Sequence, residues 1–118
     1  MKGRFKARAN LGPRKVGMNQ LEKAYADLLE EKKRDGEILS WRYEAVRLKL
    51  ANLTYYTPDF LVIDQEGNVE FHEVKGFWMD DARVKIKVAA EQYPEFYFLA
   101  VQREGTKKAG YTWRQEEF

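Results

Sequence analysis

Tyr55 to Gly76 reads YYTPDFLVIDQEGNVEFHEVKG, and the fold turns on how those residues divide. Phe60, Leu61, Val62 and Ile63 are four consecutive apolar residues, which suits a strand buried on both faces. Gln65, Glu66, Gly67 and Asn68 make a turn, with Gly67 free to take positive φ. Val69 to Lys75 is a second strand, stopped by Gly76. Alternate side chains of a strand share a face, so Glu73 and Lys75 point one way and Val74 the other. A hairpin paired about residues 66 and 67 sets Glu73 opposite a residue near 60, with Asp59 within a residue or so of it. Two carboxylates and one ammonium then gather at one end of an apolar sheet.

A carboxylate pair can hold a hard divalent cation, and a lysine beside it can hold an anionic oxygen. Mg²⁺ takes oxygen ligands, needs only one or two carboxylates, and keeps waters that serve as nucleophiles. A Glu-x-Lys triplet alone is common on exposed strands. Pro58-Asp59 at a strand start, fourteen residues ahead of Glu73 in Glu73-Val74-Lys75, is a sharper pattern. It resembles the signature of the PD-(D/E)XK nuclease superfamily, and is most similar to that group's small phage endonucleases and Holliday-junction resolvases. The resemblance implies an α/β (α+β), restriction-endonuclease-like core: a central mixed sheet of about four to five strands flanked by two helices. It also implies a metal-dependent cut in a DNA phosphodiester. Asp59, Glu73 and the Val74 carbonyl would ligate Mg²⁺ (Mn²⁺ substituting), with Lys75 beside the scissile phosphate. Fold and chemistry transfer in such a group better than substrate does.

The rest of the chain is consistent with one such domain. Its 118 residues, 44% of them hydrophobic, suffice for a single core. The absence of cysteine excludes disulfides and thiolate zinc sites and suits a reducing cytoplasm, the expected location. A single histidine, His72, argues against a multi-histidine metal site. It lies on the strand face opposite Glu73 and Lys75, so a packed or solvated position is expected. Phe96 to Val101 is too short to span a bilayer, and no apolar segment follows the basic start, so neither membrane association nor a signal peptide is expected. The net charge of +2 hides an asymmetry. Residues 1–15 hold six bases (Lys2, Arg4, Lys6, Arg8, Arg14 and Lys15) and no acid, leaving 15 bases and 19 acids, net −4, elsewhere. Residues 1–17 therefore read as a basic, flexible arm for DNA phosphates, and 18–118 as the nuclease-type domain. A solubilising tail is the plainer reading of the arm.

Asn19 is a good N-cap for a helix through Lys33, with Leu21, Ala24, Tyr25, Leu28 and Leu29 at helical spacing and Gly36 as its stop. Glu22 flanks that apolar stripe, whereas Glu30 projects away. In similar nucleases an acid on this helix completes the metal site, and Glu22 occupies the matching place. A surface glutamate stabilising the helix dipole is the competing reading, and Glu44 is the competing acid. Residues 37–53 read as one strand or a bent pair, and Asn52 to Thr57 as a turn. Asp80 and Asp81 open a second helix to about Gln92, with Met79, Ala82, Ile86, Ala89, Ala90 and Tyr93 as its buried stripe. Arg83 and Lys87 flank that stripe and, by resemblance, are candidates to face the DNA. Phe96 to Val101 is a strand expected to run parallel to its neighbour, because a helix links the two. The tail mixes Lys107, Lys108 and Arg114 with Tyr111 and Trp113. Contact with DNA or a second subunit, and packing of Trp113 on the core, are both open.

The expected function is a Mg²⁺-dependent endonuclease, phage-type, with branched DNA as one candidate substrate; a resolvase would need a C2 homodimer. The alternative is a catalytically inert nuclease-fold DNA-binding or phage assembly protein.

Overall fold

The computed structural model describes residues 17–78 and 80–118. The candidate arm residues Lys2, Arg4, Lys6, Arg8, Arg14 and Lys15 lie outside the described residues, as does Met79. The first helix, α1 (Gln20–Arg34), starts at a reciprocal capping box: Asn19 accepts the Glu22 amide, and the Glu22 carboxylate accepts the Asn19 amide. It ends in a Schellman motif, with the Glu37 amide on the Lys32 carbonyl, the Gly36 amide on that of Lys33, and Gly36 at φ +78°.

Seven strands follow among the described residues: β1 (Ile38–Tyr43), β2 (Leu48–Ala51), β3 (Thr54–Tyr56), β4 (Phe60–Asp64), β5 (Val69–Lys75), β6 (Tyr97–Thr106) and β7 (Gly110–Glu117), with α2 (Asp80–Gln92) between β5 and β6. Five form a mixed sheet in the order β1-β4-β5-β6-β7. Only the β5–β6 pair is parallel, as the α2 crossover requires. The expected α+β architecture, a mixed sheet with a helix on each face, is thus the one observed.

Strand alternation divides the core between the faces. Phe60, Val62, Val74 and Val101 meet Tyr25 and Leu29 of α1. Phe71, Phe98 and Ala100 meet Ile86 and Ala89 of α2. Each large side chain removed from water there contributes about 1.5–3 kcal/mol. The β4–β5 register pairs Phe60 with His72, which sets Asp59 level with Glu73.

Two segments depart from the sequence reading. Thr54–Tyr56 is a strand rather than part of a turn; it pairs with Leu48–Ala51 around a bend in which Leu53 takes φ +58°. This hairpin lies on α2, held by Gln92 Nε2 on the Leu50 carbonyl (2.9 Å) and the Tyr93 hydroxyl on that of Lys49 (2.7 Å). The tail is an edge strand, β7, whose Trp113 ring meets that of Tyr25 edge-on at 5.1 Å. Trp113 therefore packs on the core.

Candidate active site

Asp59 and Glu73 end up side by side because each is anchored to the other's strand. The Asp59 amide donates to Glu73 Oε1 at 3.3 Å, and the Val74 amide donates to Asp59 Oδ2 at 2.9 Å. Pro58, fully buried, fixes the entry to β4. Tyr56, delivered by the β2–β3 hairpin, donates its hydroxyl to Glu73 Oε1 at 2.8 Å. Lys75 Nζ stands 3.5 Å from Glu73 Oε2 and is partly exposed.

Burial and mutual repulsion dominate the electrostatics. Asp59 is 5% exposed; burial first, then the Glu73 charge, push its pKa up to about 8, against the Val74 amide and Lys75. Burial likewise raises Glu73, opposed by the Tyr56 hydrogen bond and by Lys75. The Tyr56 hydroxyl is raised by burial and by the Glu73 charge, so it acts as a fixed donor. Two buried carboxylates that resist ionising together are relieved by a proton or by added positive charge, such as a divalent cation would supply.

Among the described residues no group of three or more His, Cys, Asp and Glu side chains is arranged to hold a metal. The set is two carboxylates, which is sufficient for Mg²⁺ because that ion retains waters. Asp59 and Glu73 fit on charge and chemistry.

Asp59 opens on a cleft of about 820 Å³ whose lining includes Glu22, Val74, Lys75, Phe77 and Lys85, while Glu73 lines a smaller hollow that shares Lys75 and Lys85 with it. Glu22, and not Glu44, is among the lining residues. Glu22 is 3% exposed and near enough for its charge to raise Asp59. It is also engaged by the fold, with Oε1 accepting from the Asn19 amide at 3.1 Å and the Tyr43 hydroxyl at 2.9 Å. Glu44 follows β1 at φ +47°, its amide donating to the Asp59 carbonyl at 2.8 Å.

Arg83 and Lys87 are not brought to this cleft. Arg83 makes a bidentate pair with Glu116 of β7 (2.8 and 2.7 Å), and both line a separate hollow with Phe118. The base that α2 presents to the carboxylates is Lys85. It borders the main cleft and a smaller one shared with Tyr56, Glu73 and Lys75. Helical spacing holds the signal for Lys85, since it follows Asp81 and Ala82 by four and three residues and all three line the cleft.

His72 lies on the α1 face, buried between the Tyr25 hydroxyl (2.6 Å to Nδ1) and Glu70 (2.8 Å to Nε2). It packs, and takes no place in the cleft.

No helix among the described residues is long and apolar enough to cross a membrane. No curated protein matches the chain. A family model described as "Protein of unknown function (DUF1064)" matches residues 19–108, a span that runs from the α1 cap through both carboxylates to the β6–β7 turn. The chain belongs to the DUF1064 family.

Proposed function

We propose that this protein is a divalent-cation-dependent endodeoxyribonuclease and that Asp59, Glu73 and Lys75 form its catalytic centre. The observation that carries the reading is the buried Asp59–Glu73 pair, with the Lys75 ammonium 3.5 Å from Glu73 at the mouth of a cleft. The PD-(D/E)XK-like order of these residues supports it. Asp59, Glu73 and the Val74 carbonyl would hold Mg²⁺ or Mn²⁺. Such an ion supplies a water of lowered pKa and neutralises charge on the phosphate.

The chain's own groups divide the remaining work. Lys75 holds a phosphate oxygen and stabilises the charge that develops on it during in-line attack. The Tyr56 hydroxyl and the Asp59 amide fix Glu73 Oε1, leaving Oε2 facing Lys75. Lys85 adds a second cation at the cleft wall, where an incoming phosphodiester needs its charge balanced. Glu22 sets the potential at Asp59 from the α1 terminus.

The test is a panel of four-way junction, flap, linear duplex and single strand, incubated with Mg²⁺ or with EDTA, for wild type, Asp59→Ala and Lys75→Ala. Metal-dependent cutting lost in both variants is expected. Symmetric nicks confined to the junction, from a dimer, would identify a resolvase. Equal cutting by the variants would overturn the assigned site, and absence of any cutting would leave an inert nuclease-fold DNA-binding or assembly protein.

A further inference from the structure

The parallel β5–β6 ladder ends at Lys75–Gln102, yet β6 and β7 continue through Arg103–Trp113, Glu104–Thr112, Gly105–Tyr111 and Thr106–Gly110. Four further residues at about 3.3 Å each carry a two-stranded ribbon roughly 13 Å past the end of β5. Because β5 and β6 are parallel, it leaves the sheet at the end where Lys75 stands, beside the carboxylate cleft. Its tip is narrow. Gly105 and Gly110 both take φ +98°, and a Cβ on Gly105 would run into the Gly110 carbonyl. Residues 104–112 are all exposed, and 103–114 hold four basic side chains against one acidic, a net of +3.

The ribbon also carries a cation in line with the cleft. Lys75 pairs with Gln102 and Gln102 with Arg114, so the three form one row across the sheet on the face that bears Glu73. Arg114 thus stands two strand spacings, about 10 Å, from the Lys75 position. Gln102 ties the row together, donating to the Gly76 carbonyl and accepting from Arg114, each at 3.2 Å. The Arg114 side chain is held further by Glu104 at 3.4 Å yet remains 64% exposed. Lys107 and Lys108 occupy the tip.

From this placement we infer that the β6–β7 ribbon docks a double-helical segment of DNA, seating it in the groove with Arg114 and the tip lysines on its phosphates. The inference rests on the nuclease reading for its ligand. A two-stranded ribbon is of a width the major groove admits, and Lys and Arg on phosphates supply affinity without sequence preference. The substrate would therefore carry a duplex arm beside the cut.

The experiment is equilibrium binding of the full chain, in EDTA, to a blunt duplex and to a single strand over a range of salt. Wild type is compared with the triple variant Lys107→Gln, Lys108→Gln, Arg114→Gln, and with Arg114→Lys as the charge-preserving control. The triple variant is expected to bind duplex with a log K against log salt slope shallower by about 3, since each lost phosphate contact removes about 0.9. Single-strand binding and the Arg114→Lys slope should stay at wild-type values. An unchanged duplex slope, or equal loss on both ligands, would overturn the inference. So would a variant altered only in self-association by sedimentation, which would make the ribbon a subunit interface. EDTA keeps the result separate from catalysis. Ribbon-dependent docking by a chain that never cuts sinks the nuclease reading, while cutting with an unchanged slope sinks only the docking.

Discussion

The Asp59 amide donates to the Glu73 carboxylate at 3.3 Å, while the Asp59 carboxylate accepts the amide of the residue after Glu73 at 2.9 Å. The two acids are therefore fixed by the antiparallel ladder itself. Neither can swing away to relieve the other's charge, which adds to burial, the larger cause, in raising the Asp59 pKa. On the proposed function, such a site would exchange a proton for a divalent cation as pH rises.

Cation binding should accordingly be pH-dependent. Displacing the proton from Asp59, whose pKa lies at about 8, weakens Mn²⁺ or Mg²⁺ about tenfold for each pH unit below that value. Isothermal titration with Mn²⁺ at about pH 6, 7 and 8 should show that progression, levelling off above about 8, and no heat with Asp59→Asn. A pH-independent affinity in the wild type would remove the carboxylate pair as the binding site.

The same shift has a consequence for stability. Asp59 titrates near 3.8 when unfolded and about 8 when folded, so between those values the folded chain binds a proton that the unfolded chain has lost. Its contribution is full below about pH 4 and is lost as pH rises through 8. In EDTA, urea denaturation should show wild type losing stability relative to Asp59→Asn from about pH 5 to pH 8. A gap between the two that stays constant or widens in favour of wild type would contradict the buried, repelled state of Asp59.

How far the sequence revealed this site depends on which interactions were local. The β4–β5 hairpin follows from an apolar run, a Gly67 turn and two-residue alternation, all within Tyr55–Gly76, and the observed register differs from the expected centre by only half a residue. The α1 limits follow from Asn19 and Gly36, whose roles span three or four residues. Tyr56 was hidden because a three-residue strand carries too little alternation to be read, so its contact with Glu73 across 17 residues was invisible. β7 was hidden for another reason. An edge strand exposed at all but one of its eight positions has no apolar pattern, and Trp113 alone marks its inner face. Arg83 was drawn to Glu116 by that unseen strand, which left Lys85 as the base at the cleft.

Lys75 and Lys85 should separate in kinetics. Lys75 faces Glu73 and would meet the charge that develops in the transition state, so Lys75→Ala should lower kcat by about 10²–10³-fold. Lys85 is exposed on the wall, and Lys85→Ala should raise KM about five- to tenfold with kcat nearly unchanged, because it attracts ground state and transition state alike. Equal kcat losses in the two variants would place Lys85 in the chemistry.

Glu22 carries two duties that a pair of substitutions can divide. Its carboxylate completes the α1 capping box and accepts the Tyr43 hydroxyl, and its charge reaches Asp59. Asn19→Ala removes the other half of the capping box and should cost about 1 kcal/mol with cleavage intact. Glu22→Gln keeps an oxygen for both donors while deleting the charge. Its stability loss should stay near or below 1 kcal/mol while Mn²⁺ affinity and cleavage change. If Glu22→Gln cuts DNA and binds Mn²⁺ as wild type does, Glu22 is a helix cap alone and the centre consists of Asp59, Glu73 and Lys75.

On the opposite face, Tyr25 and His72 should affect stability and not chemistry. The Glu70 carboxylate accepts from His72 Nε2, and the Tyr25 hydroxyl is hydrogen-bonded to Nδ1. Tyr25→Phe leaves that buried nitrogen without its partner and should cost about 1–3 kcal/mol, read as a lower urea midpoint with an unchanged m-value. The Tyr25 ring also seats the partly buried Trp113, so Trp113→Ala should destabilise by about 1–3 kcal/mol through lost packing. Both variants, assayed below their unfolding temperatures, should retain wild-type kcat. A fall in kcat with Tyr25→Phe at unchanged stability would mean that the sheet couples its two faces, through the Val74 strand whose amide anchors Asp59.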